Sequence, residues 1–205
     1  MSDRRTTIME AAARVIARRG VRGLRVEELA AEAGVSTGLV YYHFKDRTGV
    51  LRATLAFIND RADRYTTERD ADEEPAPARD ELTHRLLLEL QDTPEVRENS
   101  VAWGELCASA VFDESLREDL TKATDEWSEE IGELVADAIP TAPLPATRAA
   151  AERLTALLEG LSGRWLSGLM SVDRARDLMS EAIAVELDRL EHTRRPAEPG
   201  KPLGA

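Results

Sequence analysis

A single cysteine, Cys107, in a chain of 205 residues leaves no partner for an internal disulfide and excludes multi-cysteine metal sites. No apolar run approaches the roughly 18 residues a membrane span needs. The start, MSDRRTT, passes into an amphipathic pattern without the apolar segment of a secretory signal. A cytoplasmic protein with no membrane association is therefore expected. Nucleophile–base pairs, phosphate loops and metal-spaced His/Cys clusters are also missing, so the expectation is no enzyme, no cofactor and no metal. No period-two alternation persists and no internal repeat occurs, which leaves an all-α chain.

Positive charge is scarce overall, with a net charge of −12 that by itself argues against a nucleic-acid partner. Its distribution reverses that inference. Residues 1–52 hold ten basic against six acidic groups, a net +4, whereas the remainder holds 17 against 33, a net −16. A basic head on an acidic body binds DNA at one end only, because the duplex repels the body.

Within the head, Val26, Leu29, Ala30 and Ala33 form one apolar stripe at helical spacing. Gly34 is placed to end that helix, and Ser36 to cap a second one. Helix, short glycine turn and helix together are the helix-turn-helix signature. In the second helix, Val40 and Phe44 pack inward, while Thr37 with Tyr41 and Gly38 with Tyr42 share outward faces. Phenol hydroxyls bond phosphate oxygens, and Gly38 lets the backbone approach DNA. His43, Lys45 and Arg47 add a basic edge. An earlier amphipathic helix, carrying Ile8, Ala11, Ala12, Val15 and Ile16 and ended by Gly20, backs this pair; Arg4 and Arg5 read as a short, solvated basic arm.

The run from Gly20 to Leu51, GVRGLRVEELAAEAGVSTGLVYYHFKDRTGVL, resembles the N-terminal domain of TetR-family transcriptional regulators, in its AGVS turn, Gly38, the YYHF ending and a basic residue at 47. Three positions depart from the family. Arg25 stands where Thr usually opens the first reader helix, and is given a phosphate contact. Leu39 replaces a Ser or Thr, which exchanges a hydrogen bond for an apolar contact with a thymine methyl. Arg47-Thr48 stands for the usual Lys-Glu and keeps the phosphate-binding charge. The expected DNA contacts are Arg25, Ser36, Thr37, Gly38, Leu39, Tyr41, Tyr42, His43, Lys45 and Arg47.

The expected layout is a DNA-binding domain at 1–48, a helical regulatory and dimerisation domain at 49–192, and a disordered tail at 193–205. A long helix over about 46–69 links the two halves. Helices follow at about 79–91, 94–111, 114–139, 146–170 and 173–192, punctuated by Pro94, Pro140, Pro143 and Pro145. That makes about nine helices, the number the resemblance also implies. Ala156, Gly160, Gly163 and Ser167 form a face of small residues, and Leu178, Ala182 and Val185 a second stripe on the last helix. Paired across two subunits these would make the four-helix homodimer interface that the resemblance implies. A dimer also suits a palindromic double-stranded operator, whose half-sites lie ~34 Å apart.

The resemblance further implies an unidentified small-molecule effector held by the body. The segment VAWGELCASAVFDESLREDL is similar to the subgroup that includes choline-responsive regulators. Trp103, Leu106, Cys107, Phe112, Trp127 and Trp165 are the candidate lining, since aromatic rings with carboxylates cage cations. The reading is an effector-responsive regulator, a repressor of its operator. The competing assignment is an all-helical small-molecule-binding protein with little or no specific DNA binding, favoured by Glu27 and Leu39.

Overall fold

Period-3.6 patterning resolves, in a computed structural model that describes residues 3–67 and 76–192, into nine α-helices and two 3₁₀ turns, with no strand among the described residues. The helices are α1 (Arg4–Arg19), α2 (Val26–Ala33), α3 (Thr37–Phe44), α4 (Arg47–Thr67), α5 (Ala78–Leu88), α6 (Pro94–Ala110), α7 (Arg117–Ala138), α8 (Leu144–Leu166) and α9 (Val172–His192). The 3₁₀ turns are Val21–Gly23, ahead of α2, and Glu114–Leu116, ahead of α7. The expected disordered tail lies outside the described residues, as do the last residues assigned to the linking helix. No described helix is long and apolar enough to cross a membrane.

Several of the expected elements change: the helix expected over 79–91 ends at Leu88, and the one expected over 114–139 opens as the 3₁₀ turn Glu114–Leu116 before α7. Arg4 and Arg5 are not an arm but the first turn of α1; the Thr7 amide donates to the Asp3 carbonyl at 3.0 Å, and the Arg5 guanidinium lies 5.7 Å over the Phe44 ring. The helix expected over 146–170 begins at Leu144 and ends at Leu166, because Gly168 takes a left-handed φ of 75° and turns the chain.

The apolar stripes bury into two clusters. The first joins α1–α4 to Ala102, Leu106 and Ala110 of α6, to Leu116 of the second 3₁₀ turn and to Leu120 in the first turn of α7. The second is built by α5 and α7–α9 around Leu82, Leu86, Ile131, Leu154, Met179 and Ile183. Head and body are thus continuous through α6 as well as through α4. Each fully buried Leu or Ile contributes about 1.5–3 kcal/mol.

Polar groups stitch the body between these clusters. Arg61 on α4 donates through Nε to Asn99 Oδ1 and through Nη1 to Glu98 Oε1, both at 2.8 Å. Asn99 Nδ2 donates to the Ile58 carbonyl at 3.1 Å. Tyr65 donates its hydroxyl to Glu89 Oε2 at 2.7 Å. The Glu89 carboxyl is pushed up to about 7 by desolvation, against the opposing pull of the Tyr65 hydrogen bond and the Arg85 charge. Arg85, itself buried, pairs with Glu130.

Candidate nucleic-acid interface

The reader is assembled by its turn. Gly34 adopts φ 64°, ψ 36°, the left-handed conformation that costs a residue with a Cβ but not glycine. The Val35 amide then returns to the Ala30 carbonyl at 2.9 Å and the Gly34 amide to that of Ala31 at 3.2 Å, closing the end of α2. Two residues on, Ser36 is extended, and its hydroxyl accepts from the Leu39 amide at 3.2 Å to start α3.

Val40 and Phe44 of α3 are buried in the first cluster, as the periodicity predicts. That anchors the opposite face outward. Thr37, Gly38, Tyr41, Tyr42 and Lys45 are all exposed, and Tyr42 retains 80% of its surface against 49% for Tyr41. His43 is half-buried between its neighbours, its ring centroid 5.2 Å from Tyr42 and 5.9 Å from Phe44. Leu39 is half-buried against the first cluster rather than fully presented. Arg25 is exposed at the N-cap position of α2, and its side chain makes no capping bond.

The corner after α3 is tight. Lys45 adopts φ 65°, ψ −54°, and the Asp46 amide donates to the Phe44 carbonyl at 2.7 Å, a γ-turn of the rarer, strained hand. Asp46 in turn accepts the Gly49 amide at 2.7 Å and so opens α4.

Charge in the head is already partly spent. Arg14 and Arg18 bind Glu32 at 3.0 and 2.5 Å, and Arg19 binds Glu28 at 2.6 Å. Hydrogen bonds from Arg18 and Arg14 hold the Glu32 carboxyl below its usual range. Glu28 and Glu32 therefore tie α2 to α1 instead of facing a phosphate. Arg47 donates through Nη2 to the Val21 carbonyl at 2.5 Å and through Nε to that of Leu24 at 3.2 Å. It acts as a clamp on the turn ahead of α2 while remaining exposed on its outer side. Sequence reasoning missed this clamp, and it missed Glu105 of α6, whose Oε2 accepts the Val21 amide at 3.1 Å. No local pattern marks a contact across 84 residues.

In the body, the six predicted ligand residues do not line one cavity. Leu106 is fully buried in the first cluster, Trp165 is buried in the second with Arg97 5.3 Å over its ring, and Phe112 is 81% exposed beyond the end of α6. Trp127 packs partly on the second cluster. Half-buried Trp103 donates Nε1 to Glu159 Oε1 of α8 at 3.2 Å. Cys107 is a poor thiolate, since desolvation and the nearby Glu159 push it up to about 12. A cleft of about 900 Å³ lies instead between α5 and the start of α9, beside His84, Leu88, Val172 and Arg176.

On the outer side of α8 and α9, Ala156, Gly160, Gly163 and Val185 are exposed, with Leu178 and Ala182 half-buried beside them. Ser167 lies past the end of α8 and bonds its own helix, donating to the Gly163 carbonyl at 2.6 Å.

Residues 8–54 match the model of the bacterial regulatory proteins of the tetR family, and residues 78–188 match that of the BetI-type transcriptional repressor C-terminal domain. The chain belongs to the TetR family. It is a DNA-binding transcriptional regulator of the TetR/BetI type and not an enzyme. Among relatives, the HTH-type transcriptional regulator BetI of Burkholderia mallei is 29% identical over 168 residues, 82% of this chain and 83% of that one. A TetR-family regulator from Rhodococcus sp. superposes with a TM-score of 0.82 at 49% identity, covering 91% of this chain and 100% of that one. A transcriptional regulator from Saccharomonospora viridis, solved in complex with choline, gives 0.74 at 28% identity over 88% and 95% of the two chains.

Proposed function

We propose that this TetR-family protein is a cytoplasmic homodimeric repressor that reads a palindromic operator through α3 and releases it on binding a small effector. The observation that carries the reading is the outer face of α3, where Tyr41 and Tyr42 are held in solvent beside Gly38 while Val40 and Phe44 fix the helix from behind. Large exposed aromatics at a helix-turn-helix are accounted for by a duplex that covers them. Thr37, Tyr41 and Tyr42 are assigned to the groove, and Ser36, His43, Arg25 and Lys45 to the backbone. Gly38 is where backbone meets DNA. Leu39 supplies an apolar edge, and Arg47 shapes the reader from behind while its exposed side reaches a phosphate.

Dimerisation is assigned to α8 and α9. Glycine in mid-helix costs up to about 1 kcal/mol relative to alanine, yet a Cβ at Gly160 or Gly163 would meet nothing within 4 Å in the same chain. Close approach of a second α8 accounts for both, with Ala156 on the same face and Leu178, Ala182 and Val185 flanking it.

The effector is assigned to the quaternary-ammonium class, with choline the first compound to test. Support comes from the choline complex of the Saccharomonospora viridis relative and from the Trp103–Glu159 pair, a ring and a carboxylate side by side. A cation there competes with the Trp103 indole for Glu159. Linkage then requires choline to weaken operator binding and the operator to weaken choline binding by the same factor. Titrating choline chloride against the operator complex, with sodium chloride as control, tests this; equal affinities in both salts would remove choline as the effector.

A further inference from the structure

The turn that launches the reader, Val21–Gly23, is gripped from two sides. Arg47 at the start of α4 holds the Val21 carbonyl and that of Leu24 just past the turn, and Glu105 of α6 holds the Val21 amide at 3.1 Å. The second grip is built into the chain at Gly20, where a Cβ would lie 2.6 Å from Glu105 Oε2 and where φ is 72°. Gly20 thus makes room for the Glu105 carboxylate, besides ending α1.

Two residues earlier on α6, and so on nearly its opposite face, Trp103 is bonded to Glu159 of α8. Glu159 adjoins Gly160, at the centre of the face assigned to dimerisation. The α6 helix is therefore a strut, one side fastened to α8 and the other to the reader's entry turn, and its core residues Ala102, Leu106 and Ala110 are packed with the head.

We infer that Glu105 is a positioning residue that fixes each reading head against the dimer axis and thereby sets the half-site spacing the protein accepts. It touches no base. Its bond determines where α3 stands relative to α8, and the distance between two α3 helices across a dyad must match successive major grooves. With the bond lost, the head rocks about the Arg47 clamp and the spacing requirement relaxes, while the preference for bases within one half-site stays, since α3 itself is unchanged. This rests on the dimeric operator reading proposed above.

The test uses the full chain, a selected operator, and copies with one base pair added to or removed from its centre. Glu105→Asp keeps the charge but shortens the reach; Glu105→Gln loses the charge but keeps an acceptor at the right distance. Both changes are small enough to preserve the fold, which circular dichroism and light scattering check. Wild type and Glu105→Gln are expected to lose about tenfold or more on either altered spacing, and Glu105→Asp about threefold or less, with single-base discrimination in a half-site unchanged. A Glu105→Asp protein as spacing-selective as wild type, or a Glu105→Gln protein that loses selectivity while Glu105→Asp keeps it, overturns the role of Glu105 alone. If wild type itself binds all spacings equally, the dimeric reading fails and this inference with it.

Discussion

Gly49 stands directly against Phe44: a Cβ on residue 49 would lie 2.0 Å from the Phe44 carbonyl oxygen. The recognition helix therefore ends on the first turn of the linking helix with no space for a side chain between them. Any change in the tilt of α4 is passed to α3 at this point, because the Lys45 γ-turn and the Asp46 cap leave no slack in the corner. Gly49→Ala is expected to force the corner open, destabilising the fold by about 1–3 kcal/mol or more, as overpacking a tight site does, and abolishing operator binding. Thermal denaturation and gel shift check it; a variant of wild-type stability that still binds would contradict the close approach.

Arg47 and Lys45 are expected to behave differently although both are basic and adjacent to the reader. Lys45→Ala should reduce affinity on any DNA and lower the salt slope by about one counterion, with little effect on stability. Arg47→Ala removes two charged hydrogen bonds to carbonyls and should cost about 1–3 kcal/mol of stability as well. Chemical denaturation beside a salt titration separates the two; identical profiles for both variants would refute the clamp.

The Tyr65–Glu89 pair predicts a pH effect of definite sign. Folding raises the Glu89 carboxyl from the ordinary 4.5 to about 7, so the native state holds more proton than the unfolded state between those values. This contribution is fully present below about pH 4.5 and is lost as pH rises through about 7. Glu89→Gln, uncharged throughout, should flatten the decline in melting temperature between pH 5 and pH 8. A wild-type decline unchanged by the substitution would place the titration elsewhere.

Much of the head was legible because its signals are local. Gly34, Ser36, Val40 and Phe44 each act within one turn of the chain, and the structure places them as their types require. The surroundings of the α6 stripe were not legible for the opposite reason. Trp103, Leu106 and Ala110 do share a helix face, but periodicity says only that a face is buried, not by what; Leu106 and Ala110 close on the head, whereas Trp103 reaches Glu159 of α8. Charge counting had a similar limit. It finds the excess of arginine in the head but not that Arg14, Arg18 and Arg19 are engaged by Glu28 and Glu32, since those pairs form only when α2 crosses α1. Arg4 and Arg5 suggest an arm in the sequence because nothing in the first residues distinguishes a charged terminus from a charged first turn.

The dimer assignment has its own test. Gly163→Leu places a bulky side chain where the chain itself leaves open space, so the monomer fold should survive unaltered by circular dichroism. Light scattering should then report monomers, with operator affinity reduced by about 100-fold or more as the two half-sites bind separately. An intact dimer would move the interface off this face.

Footprinting on DNA fragments selected by the purified protein, repeated with Tyr42→Ala, shows whether a dimer reads its operator through α3. The expected result is a protected palindrome with half-site centres about one helical turn apart, and a Tyr42→Ala protein that is folded and dimeric yet loses the selected site far more than random DNA. Protection without two-fold symmetry, or equal losses on selected and random DNA, would contradict a dimer that reads its operator through the outer face of α3.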